Sequence, residues 1–453
     1  MSSDNTKLSE TEFDLLELSG LSLTGSAMVQ NKVSPSEFRR EMAYFAPTTS
    51  LPQEGQVEIT LQPKNLLIGS INAVIGLNAC GSATACYKPA WDLVRSVTLF
   101  LNERSIKEFT PDQLYFETLF MESAGDIEAV LSAQKRAGYT TFKTSATPFS
   151  TLEATNPLVS LAQGVQYVSI QIPNIQRYIR SPLSSYKGLW KIVFDFKPIS
   201  SVQYATSAGA VGTTAQYLKS LNVWLEGFRV PTKMIRQAHD IIAKGQIYKF
   251  IDPTVVRKAY DGSGSMVASF PNIRGRISQI YFWFEHGNKY KNSGVGGNPD
   301  AILDMHTGLY STSNIQIGTP ANPNLLTQRP INLGEIVNRT QMSNGLLPRL
   351  DSFPTTAVDN QDATKNSVTW SYKELPIYSW SLCDSDVLSY QEGISNGSVE
   401  AINDLQIEFS GLQAVAGTLV VLFYTRRGIK YTNGAIDGSV QAVELDSLKV
   451  EMR

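Results

Sequence analysis

Apolar and polar residues alternate with a period of two along most of this chain, which is the pattern of half-buried antiparallel strands. The alternation is strict at residues 57–62 and 190–197, where the charged side chains fall on outward positions. Further strands are predicted at residues 67–77, 94–101, 165–172, 221–228, 247–259, 265–270, 276–284, 376–382, 401–409 and 419–424. The pattern therefore predicts an all-β fold.

A few segments carry helical signals instead. Residues 232–244 form the strongest of them, and Gly245 follows as a favoured C-terminal cap. Thr110 and Pro111 open a second helix that is predicted to continue to residue 119. Shorter helices are predicted at residues 11–19, 34–44 and 126–137. Because these helices are short, we interpret them as insertions in a β fold.

The helix at 232–244 lies near the middle of 453 residues, a length that allows two large β-sandwiches. We predict an N-terminal arm at 1–50, a first sandwich at 51–231, a connecting helix at 232–245 and a second sandwich at 246–453. The second sandwich carries polar stretches at 286–300 and 320–367, which are expected to be long exposed loops. The strand at 276–284 is matched to residues 93–101, so the halves are predicted to share one topology.

Charge argues against nucleic acid as a direct partner. The net charge is −2, and 18% of the residues are charged. Residues 1–20 hold Lys7 and five carboxylates, giving this stretch a net charge of −4. An acidic arm would be repelled by nucleic acid and by an anionic membrane. Two explanations of the arm remain open: it packs on its own sandwich, or it docks elsewhere.

Cysteine usage and hydropathy favour synthesis and folding in the cytosol. Cys80, Cys86 and Cys383 are too few for a disulfide scaffold, and whether Cys80 pairs with Cys86 is left open. No apolar run approaches the roughly 18 residues of a membrane span, and the N-terminus is polar.

Motifs for chemistry are absent from the sequence. There is no P-loop and no G-x-S-x-G elbow, and His239, His286 and His306 have no ligand-spaced companion. Asp300 and Asp304, with His306, form the one candidate group for a cation, and we expect no metal there. The carboxylates are expected at outward or turn positions, with Asp92 in a turn. We therefore predict no catalytic, cofactor-binding or metal site.

Aromatic and arginine residues have structural explanations. Most of the six tryptophans alternate with polar residues, as core positions do, whereas a lectin would place several on one exposed face. Arg426 and Arg427 follow the apolar run 419–424 and are expected to end its strand. A contact of these arginines with a neighbouring subunit is left open.

The order of elements in 376–431 carries a resemblance to a known family. An aromatic strand at 376–382 precedes a turn with Gln391-Glu392-Gly393 and Asn396-Gly397-Ser398, then the strands at 401–409 and 419–424. This order resembles the last strands of the second jelly roll in double-jelly-roll viral major capsid proteins. Those proteins form the shells of nucleocytoplasmic large DNA viruses, virophages and tailless, membrane-containing phages. The family often has Gln-Pro-Ser-Gly at this turn, and this chain departs from that pattern.

The resemblance implies two tandem jelly-roll β-sandwiches with a few short inserted helices. It also implies a structural protein without enzymatic activity, assembled as pseudo-hexagonal homotrimers in an icosahedral virion. The expected partners are further copies of the chain, penton or minor capsid proteins and, as an open question, an internal membrane. The N-terminal arm would then dock on a neighbouring subunit or beneath the shell.

Two other functions remain open. The first is a double β-sandwich adhesin or spike that binds glycans, for which exposed aromatic residues would be the evidence. The second is a two-jelly-roll hydrolase acting on glycans, which would need carboxylates clustered in a cleft between the halves.

Overall fold

The computed structural model describes part of the chain: residues 39–78, 85–88, 90–117, 166–205, 216–244, 246–271, 273, 277–286, 314–332, 335, 354–358, 368–372, 378–381, 404–412, 416–432, 435–436 and 441–442. Several predicted features lie outside these residues. They are the helices at 11–19 and 126–137, Cys80 and Cys383, the candidate cation group at 300–306 and the turn at 390–398.

The first half forms two four-stranded sheets. Its strands are β1 (Arg39–Phe45), β2 (Gly55–Leu61), β3 (Leu66–Leu77), β4 (Ala85–Tyr87), β5 (Val94–Leu101), β6 (Arg104–Phe109), β7 (Gln166–Ile172), β8 (Trp190–Phe196), β9 (Gln203–Ala205) and β10 (Leu218–Arg229). The sheets have the orders β1-β10-β3-β7 and β2-β8-β5-β6, and β4 pairs with β9. Helices are short: α1 (Pro111–Phe116), α2 (Ile199–Val202), and 3₁₀ turns at Ala90–Asp92, Ile175–Arg177 and Leu183–Ser185.

Helix α3 (Thr232–Lys244) connects the halves and matches its predicted bounds. The second half contains β11 (Gln246–Tyr260), β12 (Ser265–Phe270), β13 (Ile277–His286), β14 (Asn314–Gly318), β15 (Ile331–Asn332), β16 (Pro354–Val358), β17 (Val368–Tyr372), β18 (Tyr378–Ser381), β19 (Leu405–Ser410), β20 (Gly417–Thr432), β21 (Ala435–Ile436) and β22 (Gln441–Ala442). Its main sheets have the orders β11-β20-β13-β18 and β12-β19-β14-β15. β21 and β22 add to β20, and β16 pairs with β17.

The two halves repeat one strand order. When the β4–β9 and β16–β17 pairs and the short β21 and β22 are set aside, each half has eight strands in sheet orders 1-8-3-6 and 2-7-4-5. All strand pairs between described residues are antiparallel. The predicted repeat of one topology is therefore confirmed.

The predicted matching of individual strands between the halves is wrong. β13 is the third strand of its half and corresponds to β3, whereas β5 corresponds to β14. Helix α1 follows the fifth strand, β6, and precedes the sixth, β7. Apolar alternation identifies a strand but not its place in a sheet, because it depends on burial and not on the neighbouring strand.

A strand replaces the helix predicted at 34–44 over the residues that the structure describes. β1 pairs with β10 along its whole length, from Arg39 opposite Arg229 to Phe45 opposite Val223. Ala43 and Phe45 face the core and Tyr44 faces outward, so the period is two. Part of the predicted arm therefore belongs to the first sheet.

One further strand is longer than predicted, and several strands were not predicted at all. β20 continues through Arg426 and Arg427, because β11 pairs with it from Gly417 to Tyr431. The predicted strand end at these arginines is wrong. β6 and β14 were not predicted, and β15 and β16 lie within the supposed loop at 320–367. β15 and β16 have few residues, which makes their period hard to detect.

Each half buries side chains between its two sheets. In the first half, inward residues of β1, β3 and β10 meet those of β2, β5 and β8. In the second half, β13, β18 and β20 pack against β12, β14 and β19. The core of the first half also contains residues of β11, β13 and β20. The predicted domain boundaries at residues 231 and 245 stay a prediction. The core of the first half is not made by that half alone, because side chains of the second half belong to it. No helix among the described residues has the length and apolar character needed to cross a membrane.

Candidate functional site

The interface between the two halves is the most elaborate arrangement of side chains that the structure describes. The outer face of the β11-β20-β13 sheet packs against α1 and the segment 175–186 of the first half. Its opposite face packs on the core of the second half, so Leu419–Thr425 of β20 is buried on both faces. This explains why 419–424 reads as one continuous apolar run. We call the interface the seam, comprising Phe109, Tyr115–Glu117 and Arg177–Tyr178 of the first half with Phe250, Asp252, Tyr281, Trp283 and Tyr424 of the second.

Helix α1 fits the seam because of its local sequence. The Thr110 hydroxyl accepts a hydrogen bond from the Gln113 backbone N–H, and Pro111 occupies the first turn, as predicted. Tyr115 and Phe116 are then buried, since the helix has a neighbour on every side. A short helix with weak amphipathic character is stable here through packing.

Aromatic rings hold the seam together. Phe116 of α1 lies 4.6 Å from Tyr281 and 5.8 Å from Trp283, between ring centroids. Tyr178 stacks edge-on against Phe250 at 5.2 Å. Edge-on and offset pairs of this kind are each worth about 0.5–1.5 kcal/mol beyond area burial. The rings on both sides of each contact come from different halves of the chain.

A buried ion pair lies beside these rings. The Arg177 Nη1 donates to Glu117 Oε1 at 2.6 Å, and the side chains expose 3% and 0% of their surface. Tyr424 of β20 donates its hydroxyl to the same oxygen at 3.2 Å, and Gln113 donates to Oε2 at 2.7 Å. The carboxylate is thus fully bonded, which offsets the cost of burying its charge.

Asp252 is the centre of a second network across the seam. Lys107 of β6 places its Nζ 2.9 Å from Asp252 Oδ2 and 2.9 Å from the Pro253 carbonyl oxygen. Tyr178 donates its hydroxyl to Asp252 Oδ1. Two groups from the first half therefore bind one carboxylate of the second.

A third network lies at the half-exposed margin of the seam. Arg257 of β11 binds Asp112 of α1 at 2.6 Å and also binds Glu285 of β13. The carboxylates are buried, while the guanidinium side chain is 44% exposed. The planar guanidinium group of an arginine carries several N–H donors, so it can bind two carboxylates at once.

These carboxylates contradict the expectation that all of them lie outward or in turns. Glu117, Glu285, Asp112 and Asp252 are all buried. Asp92 is buried as well, in the 3₁₀ turn at Ala90–Asp92, where Lys197 binds it at 3.0 Å. The sequence signal was weak, since each cation that binds a seam carboxylate is distant along the chain.

The clustered carboxylates do not make a hydrolytic site. The Glu117 and Asp252 carboxylates are each bound by a cation and by a tyrosine hydroxyl, and Asp112 and Glu285 share Arg257. A general acid or nucleophile must instead face the substrate. No group of three or more His, Cys, Asp or Glu side chains placed to hold a metal occurs among the described residues.

The remaining predicted residues are scattered. His239 lies on α3 with Nδ1 3.8 Å from Asp240, and His286 ends β13 instead of lying in a loop. Arg427 donates to Thr254 Oγ1 at 3.3 Å within the β11–β20 pair. The tryptophans at 91, 190, 283 and 380 are buried, as predicted, and Trp224 is half-buried on an outer face.

The seam changes how its tyrosines titrate. Burial raises the pKa of Tyr178 well above the ordinary 10.0, and the neighbouring charge of Asp252 raises it further. Burial likewise raises the pKa of Tyr424, with Glu117 as the second cause. The folded protein therefore keeps both phenol protons at a pH where the unfolded chain releases them.

Stability is expected to fall as the pH rises above about 10, because the unfolded state then binds fewer protons than the folded state. Each of these tyrosines contributes a slope of about 1.4 kcal/mol per pH unit until its folded-state pKa is reached. Urea unfolding at a series of alkaline pH values measures the slope. Tyr424→Phe should remove one tyrosine's share, and an unchanged slope in that variant would contradict the assignment.

The same architecture occurs in known proteins of solved structure. No protein-family model matches the chain, and no curated protein matches it in sequence. Among solved structures, the PBCV-1 virus capsid matches with a TM-score of 0.60 and 11% identity, over 90% of this chain and 97% of that one. The Sputnik virophage structure matches with a TM-score of 0.53 and 9% identity, over 91% of each chain. The Faustovirus major capsid protein matches with a TM-score of 0.50 and 10% identity, over 86% and 90%.

The chain has the double jelly-roll fold of viral major capsid proteins. Both the strand order in each half and the coverage of nearly the whole chain agree with it. The fold class implied by the resemblance is therefore confirmed. The matched structures are named as a virus capsid and a major capsid protein, and neither name states an enzymatic activity.

Proposed function

We propose that this protein is a major capsid protein that forms pseudo-hexagonal homotrimeric capsomers of an icosahedral virus shell. The observation that carries the proposal is the repeat of one eight-stranded order in both halves. Three chains with two similar sandwiches each supply six similar blocks, and six blocks around an axis have a nearly hexagonal outline. Such outlines tile a closed lattice through side contacts.

The seam suits this role mechanically. A capsomer needs a constant angle between its two sandwiches, since lattice contacts are made by both. Buried ion pairs and interlocked rings across the seam fix that angle, whereas a small polar interface between domains permits relative motion.

The proposed partners follow from the function. They are further copies of this chain and penton or minor capsid proteins, with an internal membrane left as an open question, and the proposed location is the virion after assembly in the host cytoplasm. With a net charge of −2, the chain has no electrostatic basis for sequence-specific contact with the genome.

Sizing chromatography with negative-stain microscopy of the purified protein tests the proposal. The expected particle has three times the chain mass of 49.9 kDa and a roughly hexagonal outline, or assembles into shells. A stable monomer at micromolar concentration would count against it.

One observation favours the glycan-binding alternative enough to be tested beside it. Tyr44 and Trp224 lie together on an outer sheet face, with ring centroids 4.5 Å apart. Binding of the purified protein to a glycan array, lost in Trp224→Ala, would support an adhesin. If the protein is a capsid protein and not an adhesin, the unsubstituted protein and Trp224→Ala should give equal signals on the array.

A further inference from the structure

The outer face of the β1-β10-β3-β7 sheet carries an unusual number of large apolar side chains. Met42, Tyr44 and Tyr167 expose 45%, 57% and 55% of their surface, and they are three of the six large apolar residues exposed in the part of the chain that the structure describes. Trp224 packs against Tyr44 and, like Val74, is half-buried. We call these five residues the outer patch. It crosses all four strands of the sheet, a width of about 14 Å.

The other outer face of the first half has a different character. On the β2-β8-β5-β6 sheet, Lys191 binds Glu58 at 3.0 Å and Glu103 at 3.1 Å. Arg95 binds Asp195 at 3.1 Å on the same face. Exposed ion pairs are suited to water, whereas a stripe of exposed aromatic side chains commonly marks a contact with another protein. The first half therefore has one outer face for solvent and one for a partner.

The repeat of strand order identifies the counterpart of this face in the second half. Strands β1, β10, β3 and β7 are the first, eighth, third and sixth of their half, and β11, β20, β13 and β18 hold the same places in theirs. The outer face of that second sheet is the one that the seam covers, where Tyr281, Trp283 and Tyr424 pack against Phe116 of the first half. One of two equivalent faces is thus covered within the chain, while the described residues leave the outer patch of the other uncovered.

Six similar blocks around one axis require six similar contacts. In a trimer, three of these contacts are the seams within the chains, and the other three join neighbouring chains. Because the blocks share one strand order, the contact that repeats the seam places the second half of a neighbour on the outer face of the first half. Such a contact joins two different surfaces, so it is heterologous, and with two blocks per chain it closes into a ring at three copies.

We propose that the outer patch seats the second half of a neighbouring copy of this chain. The inference rests on the proposed capsid function and names the surface through which the trimer forms. The polar residues within the face fit a contact made after folding. Asn72 lies opposite Trp224, and Asn222 lies opposite Val74, as suits a surface that meets water before assembly.

Photo-crosslinking of the full-length protein identifies what covers the outer patch. Tyr44→p-benzoylphenylalanine places a reactive aromatic group there, and peptide mass spectrometry locates the captured residues. The expected products migrate as joined chains on a denaturing gel and link position 44 to peptides from residues 246–453. Capture of first-half peptides from a second chain would show an isologous contact and would overturn the proposal, as would capture within a single chain.

Tyr44→Glu combined with Tyr167→Glu tests the same contact by affinity. Both side chains are more than half exposed, so the far-ultraviolet circular dichroism spectrum should stay unchanged. Assembly would bury two unpaired charges in each contact, and the trimer dissociation constant from analytical ultracentrifugation should rise by about 30-fold or more. Val267→Glu is the matched control. Val267 is 61% exposed on β12, which belongs to the other sheet of the second half, and its substitution should leave the constant unchanged.

The outcomes separate this inference from the function on which it rests. An unsubstituted protein that stays monomeric at micromolar concentration contradicts both. A trimer whose dissociation constant is unchanged by the two glutamates, or is raised equally by Val267→Glu, overturns the contact at the outer patch and leaves the capsid function standing.

Discussion

Replacing Arg177 with methionine is expected to lower the free energy of unfolding by about 3–5 kcal/mol. The substitution leaves the Glu117 carboxylate, whose side chain exposes 0% of its surface, without its cation. Tyr424 and Gln113 remain as hydrogen-bond donors, but neutral donors compensate a buried charge only in part. Urea unfolding followed by circular dichroism measures the loss.

The surface pair between Arg40 and Glu226 provides the control. Its nitrogen–oxygen distance is 3.0 Å, but the side chains are 73% and 30% exposed. Arg40→Met should therefore cost no more than about 1 kcal/mol. Equal losses in Arg40→Met and Arg177→Met would show that burial of the seam pair has no energetic consequence.

Phe116→Ala is expected to destabilise the protein by about 3–5 kcal/mol, because it leaves a cavity where two halves meet. The Phe116 ring contacts Tyr281, Trp283 and Tyr424, all from the second half. The loss should also weaken the coupling between the halves, so that unfolding separates into two transitions. Differential scanning calorimetry measures both effects.

Phe270→Ala is the matched control for that coupling. Phe270 is equally buried, but it lies in the core of the second half and packs against Phe423. Phe270→Ala should lower the free energy of unfolding, but the two halves should still unfold in a single transition. A Phe116→Ala protein that still unfolds in one transition would contradict the role of the seam.

The strands were predictable wherever one sheet face meets water. β5, β12 and α3 match their predicted bounds because the period of each reflects one buried side. β1 was mistaken for a helix, since a seven-residue strand at an edge offers little alternation and Pro35 is a helix-start signal. Pairing with β10, distant along the chain, decides its conformation.

The seam could not be predicted from the same signals. Glu117 looks like an ordinary helical carboxylate until Arg177, sixty positions away, is brought beside it. Asp252 similarly depends on Lys107, 145 positions earlier. Periodicity describes how one element is buried, and it contains no information about which distant charge will be its neighbour. Single-sequence reasoning therefore reached the fold and missed the residues that join its halves.

The composition of the first core has a consequence for biosynthesis. Tyr424, Ile429 and Tyr431 of β20 belong to that core, and Tyr431 donates its hydroxyl to the Tyr178 carbonyl oxygen. A ribosome must therefore polymerise the chain through residue 431 before this part of the first core can form. Until then the nascent chain displays the apolar surface of α1, which is the condition under which chaperones bind.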